Sequence, residues 1–110
     1  MRSTASELVF IGNTNMIELR GLRDELSGEY INDATVTVTI RDLTGTEMDG
    51  QQWPATMPYV DGSRGIYRVP IVHSVPFTKD TNYIATITAS AAGGTRGEWG
   101  MPLLARTRRV

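Results

Sequence analysis

The most regular alternation in the chain is "ATVTVTIRD", residues 34–42, where Ala34, Val36, Val38 and Ile40 share one face and Thr35, Thr37, Thr39 and Arg41 the other. A period of two describes an extended strand with one face toward a core and one toward water. "YIATITASA", residues 83–91, repeats the pattern. "NMIELRGL", residues 15–22, sets Ile17 and Leu19 inward with Glu18 and Arg20 outward. No longer segment shows the 3.6-residue period of an amphipathic helix. Only a helical turn over Leu22–Leu26 fits, and Ser27-Gly28 would end it. Glycine-containing turns recur about every ten residues, the spacing of an antiparallel sandwich or barrel.

Between these strands the turn chemistry is explicit. In "DLTGTEMDG", residues 42–50, Asp42 is placed to bond the backbone two residues on and Gly45 to supply a positive φ, which predicts a hairpin loop. Pro54 and Pro58 lie in the extended "QQWPATMPYV", and Pro70 in "IYRVPIV". Proline donates no ladder bond, so these segments belong at sheet edges or where the chain changes sheet. "EWGMPLLARTRRV" predicts a final strand with a basic end. Residues 1–14 admit two readings, a mobile polar arm or a short first strand through "LVFI". The expectation is one all-β domain over residues 15–110, an antiparallel β-sandwich of about seven to eight strands.

Composition narrows the function more than the fold. With 40% hydrophobic and 21% charged residues, the chain reads as an ordinary globule. A net charge of −1 provides no overall field to recruit nucleic acid or an anionic membrane. No stretch approaches the ~20 apolar residues of a membrane span. The N-terminus lacks the apolar core of a signal peptide, which predicts cytoplasmic synthesis. The chain has no cysteine, so disulfides, thiolate catalysis and sulfur metal sites are excluded together.

Candidate chemistry is sparse. His73 is the sole histidine, and Ser74 beside it would point to the opposite strand face, so the two do not form a nucleophile–base pair. The acidic residues Asp24, Glu25, Asp33, Asp42, Glu47, Asp49, Asp61 and Asp80 fall mostly one per turn. Asp favours turns on its own account, and calcium held by gathered loops is the minor reading. "AAGGTRG" matches no phosphate-binding loop, and no cofactor is expected. Trp53 and Trp99 each sit beside a turn and near a methionine, Met57 and Met101. One indole is expected to plug the core and the other, Trp53 by its two prolines, to lie at a surface where Trp and Met are favoured. Arg106 and Arg108 share one strand face and suit an acidic neighbour. Trp53, Met57, Trp99, Met101, Arg106 and Arg108 are therefore the candidate partner contacts.

A longer pattern then emerges. "SGEYINDATVTVTIRDLTGTEMDG" followed by "GIYRVPI" resembles the immunoglobulin-like and prealbumin-like sandwich modules of extracellular and viral surfaces, at Gly28, Ala34, Val36, Val38, Asp42, Gly45, Gly65 and Tyr67. "DTNYIATI" resembles a tyrosine corner through Asp80, Tyr83 and Ala85. The cysteine pair and tryptophan of antibody domains are absent, and Pro70 interrupts a strand those families leave clear. Residues 13–108 are more narrowly similar to small proteins of tailed-phage and prophage structural gene clusters. That resemblance implies a non-enzymatic virion subunit: a decoration, neck, collar or tail-fibre-attachment protein. It would be a homo-oligomer binding other virion proteins, made in the host cytoplasm and found in the virion. The rival is a secreted bacterial adhesion or carbohydrate-binding module of the same fold.

Overall fold

A computed structural model describes residues 7–24, 26–92, 94 and 96–108. These residues form strands β1 (Glu7–Phe10), β2 (Asn15–Leu19), β3 (Thr35–Asp42), β4 (Ala55–Thr56), β5 (Tyr67–Ile71), β6 (Asn82–Ser90) and β7 (Arg96–Arg106). No helix occurs among the described residues. One sheet has five strands in the order β1-β7-β6-β3-β4, and the other pairs β2 with β5.

The threonine–valine alternation becomes β3, with Val36, Val38 and Ile40 buried. On β6 the buried set is Tyr83, Ala85, Ile87 and Ala89. The two stripes lie side by side in one sheet, with Val36 opposite Ala89, Val38 opposite Ile87 and Ile40 opposite Ala85. They join one buried cluster with Ile17 of β2 and Tyr67, Val69 and Ile71 of β5. Two strands cannot cover five, so loop residues complete the lid: Leu22, Met57, Val75 and Phe77 belong to the same cluster.

The core plug is neither tryptophan. Tyr67 heads the largest fully buried side chains, and its hydroxyl is satisfied twice. It donates to Ile31 O at 2.7 Å and accepts from Ala34 N at 3.1 Å. Those two bonds tie the loop before β3 to the second sheet. Burial pushes the Tyr67 phenol above its ordinary value, so it stays protonated and able to donate. A tyrosine fits where a tryptophan would not, because its polar tip reaches two backbone groups at once.

The antiparallel expectation needs one correction. β1 pairs with β7 in parallel, Glu7 opposite Leu103 through Phe10 opposite Arg106. No hairpin joins these strands; the rest of the domain is the connection between them, which leaves a parallel pairing open. Immediately after β1 the chain leaves that sheet for β2, and Asn15 holds the crossing. Its Oδ1 accepts Phe10 N at 2.8 Å, while its Nδ2 donates to Phe10 O and Asn13 O, both at 3.1 Å. Of the two readings for the N-terminus, residues 7–10 form a strand, and residues 1–6 lie outside the described set.

Turns follow the residue chemistry. Asp42 Oδ1 accepts Thr44 N at 2.9 Å, Thr44 Oγ1 at 2.6 Å and Thr46 N at 3.0 Å, and Gly45 has φ 92°. The anticipated helical turn is a single loop of chain, closed by Gly28 N on Asp24 O at 2.8 Å, with no helix after it. Gly65 has a stricter requirement. At φ +64°, a Cβ there would meet Leu22 N and O at 2.6 Å, where the two backbones pass in contact. Prolines mark the edges as expected: β4 is two residues long with Pro54 and Pro58 around it, and Pro70 lies opposite Met16 in the two-stranded sheet.

Candidate interaction surface

Tyr83 makes a hydrogen bond back to the backbone before its strand. Tyr83 OH accepts Thr78 N at 2.7 Å, and Phe77 meets the Tyr83 ring edge-on at 5.0 Å. This anchors the connection leading from Phe77 into β6, at the same end of the molecule as Arg106. Asp80 takes φ 59° in that connection, and its carboxylate lies 3.3 Å from Arg106 Nε. The Arg108 guanidinium stacks over the Phe10 ring at 4.4 Å. Together with Leu8 and Lys79 these residues line a shallow depression. Both arginines are exposed, yet each already has a partner within the chain.

The anticipated order of exposure of the two tryptophans is reversed, and neither plugs the core. Trp53 is half-buried between β3 and β4 and donates its indole N–H to Met48 O at 2.7 Å. Trp99 is the more exposed of the two, at 41%. Met57 is withdrawn from the contact set, since it is only 1% exposed. Its N–H bonds Val36 O at 2.8 Å, which holds it beside β3 with its side chain in the core. Met101 is half-buried and packs against the core cluster.

Trp99 has the alternation phase of Leu103 and Ala105, the inward face of β7, but lies where the small second sheet does not reach. Its indole folds back over Gly97, so that a Cβ on that glycine would come within 2.7 Å of Cη2. Beside it a groove is lined by Leu22, Leu26, Ile31, Ala89 and Gly97. Leu26 is 98% exposed at the tip of the turn opposite. Nearby, Arg23 donates to Tyr30 OH at 2.8 Å and stacks on the same ring. Sequence reasoning named Trp99 as a candidate contact but missed the groove beside it. Its one signal was a leucine standing inside the polar turn "DELSGE".

The adjacent strand edge is open among the described residues. β6 flanks β7 from Arg96 to Leu104, but β1 covers only Leu103 to Arg106 on the other side. Among the described residues, Arg96–Pro102 therefore has no neighbour along its outer edge. Pro102 guards the far end of that stretch, and no proline or lysine occurs from Arg96 to Met101.

The remaining candidates stay dispersed. His73 and Ser74 are both exposed after β5. Among the described residues no three His, Cys, Asp or Glu side chains gather as a metal would require. The hydrogen bonds from Thr44 and Thr46 hold the Asp42 carboxyl below the ordinary carboxylate value, which is the mark of a turn anchor. No protein-family model, no curated protein and no solved structure matches this chain.

Proposed function

We propose that this chain is an immunoglobulin-like assembly module of a tailed-phage particle, acting by protein–protein contact and without catalysis. The strand order supports the first half of that reading. β7-β6-β3-β4 follows the G-F-C-C′ order of such sandwiches, β2 and β5 stand where B and E would, and Tyr83 sits at the corner before F. The observation that carries the second half is the apolar surface around the open edge of β7. Trp99 and Leu26 expose large apolar side chains across one groove there. Contiguous apolar exposure marks a surface meant to be covered by another protein.

Mass spectrometry of purified particles and assembly intermediates tests the proposal. The protein is expected in particles at a fixed ratio to the other structural proteins. Its production during infection without appearing in any such fraction would reject the reading and favour the adhesion module.

A further inference from the structure

We propose that two copies of this chain pair antiparallel through the open edge of β7, with Gly97 on the two-fold axis. This names one interface within the assembly-module reading and rests on it only for its biological setting. A strand edge with unpaired N–H and C=O groups takes another strand most readily. A symmetric pair must keep the inner and outer faces of both sheets continuous, so a residue on one face meets a residue of the same face.

Among such registers, the one centred on Gly97 satisfies both faces. On the outer face it sets Arg96 against the partner's Glu98, and Glu98 against the partner's Arg96. Both side chains are exposed, at 63% and 57%, and within one chain they lie 3.7 Å apart on the same face. The register centred one residue further along would oppose Glu98 to the partner's Glu98. On the inner face two glycines meet, and each lies beneath its own Trp99 indole. Glycine Cα atoms opposite one another are about 4.5–5.5 Å apart, so the two indoles come together over the axis at the ring spacing of aromatic pairs. The glycine thus has a second use: it leaves space for the ring that would cover the junction. Pairing joins the two five-stranded sheets through residues 96–98 of each chain and covers that part of each edge.

Sedimentation equilibrium of the purified full chain, with a charge-swap series, tests the register. The parent chain is expected to form a concentration-dependent dimer. Glu98→Arg sets two arginine pairs across the axis and should weaken the dimer on the order of tenfold or more. Adding Arg96→Glu restores opposite charges, and the double variant should return to within about threefold of the parent. Circular dichroism of each variant separates lost pairing from lost folding. A parent that stays monomeric into the high micromolar range overturns the proposal, as does a double variant no better than the single. Dimerisation only after residues 1–6 are removed also overturns it, and makes that segment the occupant of the edge. A monomeric chain still found in particles rejects this interface while leaving the assembly reading in place.

Discussion

Asp42 and Tyr83 each hold a turn with one polar group, and they differ in how that group responds to its surroundings. Asp42 accepts three hydrogen bonds as a carboxylate, which lowers its pKa in the folded state. A depressed carboxylate stabilises the fold above its unfolded pKa and loses that contribution as pH falls through the folded value. The thermal midpoint of Asp42→Asn should therefore lie below the parent near neutrality. The gap should close as pH drops below about 4, where the parent's own carboxylate titrates. A gap of constant size down to pH 2 would show that charge has no part in the turn. Tyr83, by contrast, is buried, and its hydroxyl receives Thr78 N. Tyr83→Phe removes that acceptor and should cost about 0.5–1.5 kcal/mol in a urea titration. An unchanged midpoint would reduce the corner to a chance contact.

At the scale of the element, β3 and β6 depend on one face far more than the other. Ile87 is 1% exposed and pairs with Val38 at the centre of the larger sheet. Ile87→Ala leaves a cavity that two packed sheets cannot close, and should destabilise by about 2–5 kcal/mol. Thr37 is on the outer face beside Thr88 and Thr56, half-exposed and free of core contacts. Thr37→Ala should cost about 1 kcal/mol or less. Equal losses in denaturant titrations would contradict the assignment of faces. The period-two pattern made this division legible beforehand. It did not say whether the two stripes face each other or lie in one sheet, since both arrangements bury the same residues.

For the molecule as a whole, the pairing of β1 with β7 brings the start of the described chain to its end. Val9 is 1% exposed and sits opposite Ala105. A chain lacking residues 1–10 loses the burial of Val9, about 1.5–3 kcal/mol for one such side chain, and uncovers Leu103–Arg106 as a further open edge. Its unfolding midpoint in urea should fall clearly, and its tendency to aggregate should rise. Retention of the parent midpoint would mean that β1 is only laid on the sheet. Among the described residues the same topology leaves part of β7 uncovered on one side, where a strand of eleven residues has a neighbour of four.

The sequence by itself determined the all-β class, the inward residues of β3 and β6, the Asp42 turn and the proline-marked edges. These are local properties, set by a period of two, by side chains that bond their own backbone, and by the missing N–H of proline. Tertiary structure alone decided the parallel seam between β1 and β7, Tyr67 as the plug, Met57 in the core and Trp99 outside it. Each depends on which surfaces the unequal sheets leave covered. A residue such as Trp99 has an inward phase that local pattern can read, but only the size of the opposite sheet determines whether anything lies over it. Gly97 shows the same limit: its place in the strand is plain in the sequence, whereas the indole above it and the open edge beside it appear only once the chain has folded.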